Sequence, residues 1–251
     1  MGDKCMQSID RAMNVINVLV SKSTENWLSI TELSQECDLP ISSMHRLLKA
    51  MSKHGLIQQD EQSKQYGLGN IWLEYGLQMY DKMDYVSKIR PELEILMNQV
   101  EESVYLSQPT GMESLIIERI DSEKNQIRVY DQLGLKVPMP VGAANKVMLA
   151  YMPYKQAKKI VDTLLPEQER SALWDTLQET KMKGYGMSHS ERTEGTISVA
   201  APILDHFGEV YGAVSIGIVS FNLTDDRLNF LIKNVIETGK RISAKLGYRG
   251  S

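Results

Sequence analysis

The sequence predicts an α+β protein of two domains: an N-terminal winged helix-turn-helix, then a linker helix, then a larger mixed α/β domain. Three features support this prediction. Residues 9–68 follow a helix, helix, turn, helix and hairpin pattern, residues 70–100 hold apolar side chains at helical spacing, and strand-like apolar runs follow residue 100. A length of 251 residues suits two domains, and we predict the bounds 1–69, 70–88 and 89–251.

The first two helices are indicated by apolar spacing and by a cap. Near the N-terminus an amphipathic helix is predicted from Ile9, Ala12, Met13, Ile16, Leu19 and Val20. Ser29 and Glu32 have the spacing of a capping box, in which each side chain bonds the other's backbone N–H, so a second helix should begin there. It must end before Pro40, because proline lacks an N–H donor and fits only a helix's first turn.

The third helix, predicted over residues 41–54, has one cationic face. The whole chain has a formal charge of −4, yet residues 39–59 contain no Asp or Glu. At about 100° per residue, an exposed stripe would hold Ser42, Arg46, Lys49 and Lys53. The opposite, apolar face would hold Met44, Leu47, Leu48 and Met51. Gly55 should end the helix, since glycine readily adopts the left-handed conformation found there.

A hairpin should follow the third helix. Apolar residues 56–57 and 66–68 flank a polar tip at 60–64, as in a wing beside a recognition helix. Cations and hydroxyls on the second helix of a helix-turn-helix suit the major groove of DNA. Two alternatives stay open: the stripe is only a solvated helix face, or the helix-turn-helix contacts another protein.

The stretch 70–100 predicts a linker helix, a break at Pro91 and then the first helix of the second domain. Its apolar residues are Ile71, Trp72, Tyr75, Met79, Met83, Leu93, Leu96 and Met97. They either pack against their own domain or form a dimer contact. A homo-oligomer, dimer or dimer of dimers, is expected because operators are commonly two-fold repeats.

The second domain alternates strand-like and helical segments. Strands are predicted at 104–107, 114–120, 126–130, 197–204 and 210–219, and helices at 145–152, 155–165, 167–182 and 225–246. The small-residue turn at 140–144 leads into a helix whose N-terminus favours an anion, unless the small residues serve only close packing. Thr196 and Ser198 share one strand face, and Ser215 shares a face with Gly217, which indicates a polar cavity or hydroxyls bonded within the core.

Several classes of protein are not expected. There is no apolar run of about 18 residues and no signal peptide, so we expect a cytoplasmic protein with no membrane contact. Cys5 and Cys37 suggest ordinary thiols. The four histidines are scattered, and no P-loop, G-x-S-x-G, H-E-x-x-H or glycine-rich dinucleotide motif occurs, so we expect no enzyme, catalytic residue, cofactor or metal.

Ordered motifs along nearly the whole chain resemble the IclR family of bacterial transcriptional regulators. The N-terminal ones are Ser8-Ile-Asp-Arg-Ala12, Leu33-Ser, Leu39-Pro40, Ser42-Ser43, His45-Arg-Leu-Leu48, Gly55-Leu56 and Tyr66-Gly-Leu-Gly69. The C-terminal ones are Gly184-Tyr185, Ser198-Val-Ala-Ala-Pro-Ile203, Val214-Ser215 and Leu246-Gly-Tyr-Arg249. The resemblance implies a GAF-like second domain with an effector pocket on one side of its sheet.

From the resemblance and the helix pattern together, we expect contacts with double-stranded operator DNA from Ser42, Ser43, His45, Arg46, Lys49, Lys53 and, on the wing, Lys64. His45 is equally open as a packing residue, and Lys64 as a solvated turn residue. The family commonly has a lysine where Ile41 stands, so one cation is missing. The expected function is a ligand-responsive regulator, a repressor rather than an activator. The alternative is an enzyme or a protein-interaction module with a small-molecule pocket.

The resemblance also places the effector pocket. Its expected residues are Ala143, Ala144, Ser188, Thr196, Ser198, Ala200, Ser215 and Gly217, with apolar walls from Val129, Val137 and Met139. Relatives often have an acidic residue where Ser188 stands and a hydroxyl where Gly217 stands. We expect a small organic acid, and because Gly217 would leave room, a larger sugar or aromatic acid is as open as a two- or three-carbon one. His189 and Arg192 could pair with its carboxylate, or be ordinary exposed loop residues.

Overall fold

The fold is given by a computed structural model that describes residues 3–22, 27–81, 84–124, 128–221 and 223–250. The chain divides into two compact units, residues 1–83 and 84–251. The predicted α+β architecture, with an N-terminal winged helix-turn-helix and a mixed α/β domain, is confirmed.

In its described residues, the first unit has four helices and a two-stranded hairpin. Its elements are α1 (Asp3–Ser21), α2 (Ile30–Glu36), α3 (Ile41–Lys53), β1 (Ile57–Gln59), β2 (Tyr66–Leu68) and α4 (Ile71–Asp81). β1 and β2 pair antiparallel, and Leu28 adds an isolated bridge to Tyr66. The hairpin is the predicted wing, which directly follows α3.

Local signals set the ends of α2 and α3. The capping box is present, since the Ser29 N–H donates to the Glu32 carboxylate at 2.7 Å and the Glu32 N–H donates to Ser29 Oγ at 3.3 Å. Asp38 takes the left-handed φ of 47° in the turn that follows α2, and Pro40 caps the start of α3. Gly55, at a φ of 69°, ends the turn after α3 as predicted.

The core of the first unit lies between α1, α2 and α3. Its fully buried residues include Val15, Leu33, Met44 and Leu48. One detail of the α1 prediction is wrong, because three of its predicted apolar residues are exposed: Ile9, Met13 and Val20. They lie about 70–110° around the helix from the centre of the buried face formed by Val15, Ile16 and Leu19, and so point away from this small core.

The second unit is an antiparallel sheet with helices on both faces. Its strands are β3 (Ser103–Thr110), β4 (Glu113–Ile120), β5 (Lys136–Pro138), β6 (Gly186–His189), β7 (Thr196–Leu204) and β8 (Val210–Val219), in the order β5-β4-β3-β8-β7-β6. Its helices are α5 (Asp84–Val100), α6 (Ala143–Tyr151), α7 (Tyr154–Leu164), α8 (Glu167–Lys183) and α9 (Asp225–Lys245).

The two faces of the sheet bury different helices, because side chains alternate along each strand. On β7, Val199 and Ala201 pack with α5 and α9, whereas Ala200 between them packs with α6, α7 and α8. The core is therefore two layers of helices with the sheet between them. The cavity that contains the predicted effector-pocket residues lies on the α6 face.

The predicted break at Pro91 is wrong. α5 runs from Asp84 through Pro91 to Val100. An interior proline costs about 3 kcal/mol, but Ile89, Leu93 and Leu96 are fully buried against the sheet and α9. Packing of this apolar face outweighs the lost hydrogen bond, as it commonly does in helices of folded proteins.

The predicted strand at 126–130 is also wrong where it can be assessed. Residues 125–127 lie outside the described part of the chain, and 128–130 are not in a strand. Instead, side chains hold this segment over the sheet: the Tyr105 hydroxyl donates to the Val129 carbonyl at 2.6 Å, and Arg119 donates to the Asp131 carbonyl at 2.9 Å. The strands β5 and β6 were not predicted.

Candidate DNA-binding face and effector pocket

The cationic stripe of α3 is exposed, and its opposite face forms core. Met44, Leu48 and Met51 are buried. Ser42, His45, Arg46, Lys49 and Lys53 are exposed, and Ser43 is half-buried. His45 is therefore on the solvent side of the helix rather than within the core. The geometry leaves the whole stripe available to a partner.

The tip of the wing is an ordered turn. The Asp60 carboxylate accepts hydrogen bonds from the Ser63 N–H at 2.7 Å and the Ser63 hydroxyl at 2.8 Å. These bonds from Ser63 lower the pKa of Asp60 below its ordinary value. Lys64 follows at a positive φ of 59° with its side chain exposed. The turn presents Lys64 next to two acidic residues, Asp60 and Glu61.

A cavity of about 80 Å³ opens between the sheet, the start of α6 and the loop 190–195. Nine of the predicted pocket residues line it: Val129, Val137, Ala143, Ala144, Ser188, Thr196, Ser198, Ser215 and Gly217. Met139 and Ala200 do not line it, because both are completely buried in the core beneath α6. The structure thus brings together most of the predicted set, from four strands, one helix and the irregular segment that contains Val129.

Sequence reasoning missed several residues of the lining. They include Tyr105, Ser107, Ser114, Asp131, Asn145 and Glu191. The two serines could have been recognised, since Ser107 lies within the apolar strand β3 and Ser114 is the second residue of β4. Hydroxyl groups in strands were the signal used for β7 and β8. The others had no such signal, because sheet pairing and loop packing bring them to the cavity.

One wall of the cavity is a pair of serines on neighbouring strands. Ser188 on β6 lies opposite Ser198 on β7, and their Oγ atoms are 2.7 Å apart. The Ala143 N–H at the start of α6 points to Ser198 Oγ at 3.4 Å. Ser198 therefore connects the sheet with the N-terminus of α6.

The expectation of extra room at Gly217 is wrong. A Cβ placed there would lie 3.0 Å from Val129 Cβ and 3.4 Å from Tyr105 Cε2, so both side chains already fill the space. Tyr105 is held by its hydrogen bond to Val129. Burial raises the pKa of Tyr105 to about 12, so its phenol stays neutral at physiological pH.

Two ion pairs tie the loop 190–195 across the cavity mouth. The Glu191 carboxylate accepts from the Gly142 N–H at 2.8 Å and pairs with Lys146. On the other side, Arg192 Nη1 lies 2.8 Å from Asp131 Oδ2. Arg192 thus has a carboxylate partner within the protein, and His189 is exposed.

Within the described residues, no group of three or more His, Cys, Asp or Glu side chains could hold a metal ion. No helix there is long and apolar enough to cross a membrane. What the cavity offers is hydroxyls, an amide and a helix N-terminus, which suit binding of a small polar molecule.

Comparison with known proteins agrees with both units. The profile of the IclR helix-turn-helix domain matches residues 8–61, and the profile of the bacterial transcriptional regulator IclR C-terminal domain matches residues 77–244. The HTH-type transcriptional regulator KipR of Bacillus subtilis is 28% identical over 96% of this chain and 98% of its own. The HTH-type transcriptional regulator KdgR of Escherichia coli is 28% identical over 98% of this chain and 96% of its own.

A third relative, the transcriptional repressor IclR of Escherichia coli, is 25% identical over 96% of this chain and 90% of its own. Two solved structures share the fold. The IclR-type regulator from Alicyclobacillus acidocaldarius has a TM-score of 0.81 at 20% identity, covering 96% of this chain and 99% of its own. The structure of Thermotoga maritima IclR has a TM-score of 0.75 at 23% identity, covering 97% of this chain and 100% of its own. The chain belongs to the IclR family of bacterial transcriptional regulators, which are helix-turn-helix proteins and not enzymes.

Proposed function

We propose that α3 binds double-stranded operator DNA, and that the cavity of the second unit binds a small organic acid that changes this affinity. The DNA contacts we propose are Ser42, Ser43, His45, Arg46, Lys49, Lys53 and Lys64. The single observation that supports the DNA face best is the exposure of the α3 stripe opposite the buried residues Met44, Leu48 and Met51. Hydroxyls and cations so arranged suit phosphates and base edges.

The regulation we propose is repression, in the cytoplasm. The name of the Escherichia coli relative describes a repressor. An acid bound in the cavity would shift the equilibrium between two arrangements of a homodimer, because it binds one arrangement more tightly than the other.

A homodimer is supported by α4, which has no buried residue. Leu73, Leu77 and Tyr80 form one exposed stripe on this helix, at the i, i+4 and i+7 positions. Such a patch of large apolar side chains in solvent is typical of a protein contact. A second copy of the chain is the occupant we propose, since paired recognition helices match the two-fold symmetry of operators.

The DNA face is tested by fluorescence anisotropy with DNA from upstream of the protein's own gene and neighbouring genes. Lys49→Ala should weaken binding to the operator about ten-fold, which corresponds to about 1.4 kcal/mol. Lys155→Ala, which removes an exposed cation from α7 in the second unit, is the matched control and should bind as wild type does. Absence of selective binding by wild type over a range of salt would overturn the proposal.

The pocket is tested by thermal shift with short organic acids. An acid that raises the Tm of wild type should raise it less in Ser198→Ala and Ser215→Ala, since both hydroxyls line the cavity. Ser171→Ala, on the exposed side of α8, is the control. Equal shifts in all four proteins would place the ligand elsewhere.

A further inference from the structure

Asn145 contributes a deeply buried amide side chain to the wall of the cavity. It is the third residue of α6 and only 2% exposed. Its Nδ2 donates to two main-chain carbonyls, Pro138 at 2.9 Å and Val137 at 3.3 Å. These bonds fix the orientation of the amide, because only the nitrogen of an Asn side chain can donate.

The other amide atom, Asn145 Oδ1, is buried without a partner. Among the residues that the structure describes, none donates a hydrogen bond to it. A buried acceptor left unpaired is costly, so native structures usually supply it with a donor. Asn145 is part of the cavity lining, so a ligand held in the cavity lies next to the residue that carries this unpaired acceptor.

An atom that only accepts hydrogen bonds can distinguish a ligand hydroxyl from a ketone, whereas the neighbouring serine hydroxyls cannot. The serines around the cavity, Ser107, Ser114, Ser198 and Ser215 among them, can donate or accept, so they tolerate a ketone and a hydroxyl alike. Asn145 Oδ1 can only accept. A ligand hydroxyl satisfies it, whereas a ketone has no donor and leaves Oδ1 unpaired.

The cavity also limits ligand size. One water molecule needs roughly 10–15 Å³ of such space, so a cavity of about 80 Å³ has room for roughly five to eight atoms of that size. An acid of about two to four carbons fits. The space at Gly217, which would have accepted a larger acid, is filled by Val129 and Tyr105.

The carboxylate has a place beside this acceptor. Glu191 already accepts from the Gly142 N–H at the start of α6. The N–H groups of Ala144 and Asn145, in the first turn, have no partner from helix geometry, and the helix dipole favours an anion there. Asn145 therefore presents a main-chain donor and a side-chain acceptor at one position. A carboxylate with a neighbouring hydroxyl complements the two.

We propose that the effector is a short hydroxy-carboxylic acid whose hydroxyl donates to Asn145 Oδ1, and that Asn145 selects it against the corresponding keto acid. This proposal rests on the effector pocket of the proposed function and names its ligand class. Sites built to bond a ligand hydroxyl reject analogues that lack it, because the buried group of the site is then left unpaired.

The test is isothermal titration calorimetry of the full-length protein with pairs of acids that differ only in this group. Lactate is compared with pyruvate, and 2-hydroxybutyrate with 2-oxobutyrate, each hydroxy acid as both enantiomers. Wild type should bind the preferred hydroxy acid about 5- to 150-fold more tightly than its keto partner. In Asn145→Ala the ratio should fall towards one, whatever the absolute affinity.

Ser198→Ala is the matched control, because it should weaken both members of a pair and leave their ratio unchanged. If Asn145→Ala does not fold, the ratio in wild type still decides. Equal or tighter binding of the keto acids overturns the proposal, and so does binding of alanine in place of the hydroxy acids. Anisotropy with DNA on the same preparation separates the two proposals: selective DNA binding that responds equally to both acid types leaves the regulator intact and removes only the ligand class.

Discussion

The Glu191 carboxylate accepts a hydrogen bond from the Gly142 N–H at 2.8 Å, at the N-terminal end of α6. Lys146 on the same helix pairs with this carboxylate. The sequence predicted an anion at this helix N-terminus, and the structure has one that belongs to the chain itself. An effector carboxylate that approaches α6 therefore meets a negative charge already bound there.

We predict that Glu191→Gln raises the affinity for an organic acid by about two- to five-fold, the range expected for one charge near a helix terminus. The substitution keeps the shape of the side chain but removes its charge, and it leaves Lys146 without its carboxylate partner. Calorimetry with the tightest acid found measures the change. Glu194→Gln removes the same charge from the same loop and should have little effect; weaker binding by Glu191→Gln would show that Glu191 supports the ligand instead.

Arg46 provides a test of base recognition by α3. If its guanidinium bonds a guanine edge, Arg46→Lys should lose about 1–3 kcal/mol of binding to the operator while the dependence on salt stays almost unchanged. Lysine retains the charge but not the two-pronged geometry. Anisotropy titrations at several salt concentrations measure both quantities.

Lys49→Ala should behave differently from Arg46→Lys in the same titrations. Loss of one phosphate contact should reduce the slope of log affinity against log salt by about 0.9 and weaken all sequences alike. An unchanged slope for Lys49→Ala, or full operator affinity for Arg46→Lys, would contradict the roles assigned to these residues.

The contact between copies is tested on α4. Leu77 is 59% exposed in the middle of the apolar stripe, so Leu77→Glu should bury a charge in the proposed interface and convert dimers to monomers. Sedimentation equilibrium measures the mass, and anisotropy should show weaker operator binding. Gln78→Glu adds the same charge at the neighbouring exposed position, off the stripe, and should stay dimeric. A monomeric wild type would remove this proposal.

The parts of the fold that were predictable depend on local signals. Ser29, Pro40 and Gly55 fix helix ends through their own backbone and side-chain chemistry, so the helix-turn-helix could be predicted from the sequence. The break predicted at Pro91 was wrong because a local sequence pattern does not show the packing of α5 against the sheet and α9. Intrinsic preferences yield to tertiary contacts when a whole helix face is buried.

The candidate site was predictable only along its strands. Period-two alternation places Thr196 and Ser198 on one face, so their presence in the cavity could be expected. Gly217 was misjudged because its neighbours, Val129 and Tyr105, reach it through strand pairing and a long connection. Glu191 was missed for a similar reason, since its partner Gly142 belongs to a segment far away in sequence.

The ion pairs of Glu92 on α5 lead to a prediction of how the free energy of unfolding depends on pH. Its side chain is 8% exposed, and its carboxylate lies 2.7 Å from both Arg241 Nε and Lys245 Nζ of α9. Burial alone would raise the pKa of Glu92, but hydrogen bonds and charge from Arg241 and Lys245 outweigh it and lower the pKa below the ordinary value. A carboxyl with a lowered folded-state pKa stabilises the protein above its unfolded-state pKa, and this contribution is lost as pH falls through the folded-state pKa.

We therefore expect Glu92→Gln to reduce the free energy of unfolding at pH 7 by about 1–3 kcal/mol, less than for a completely buried pair because both cations are partly exposed. The difference from wild type should shrink as pH falls below about 4. Urea unfolding at pH 7 and at pH 3.5 measures it. Glu94→Gln, which breaks only the exposed pair with Arg90, should change the free energy by about 0.5 kcal/mol or less. A Glu92→Gln difference that is the same at both pH values would show that the residue acts through packing and not through its charge.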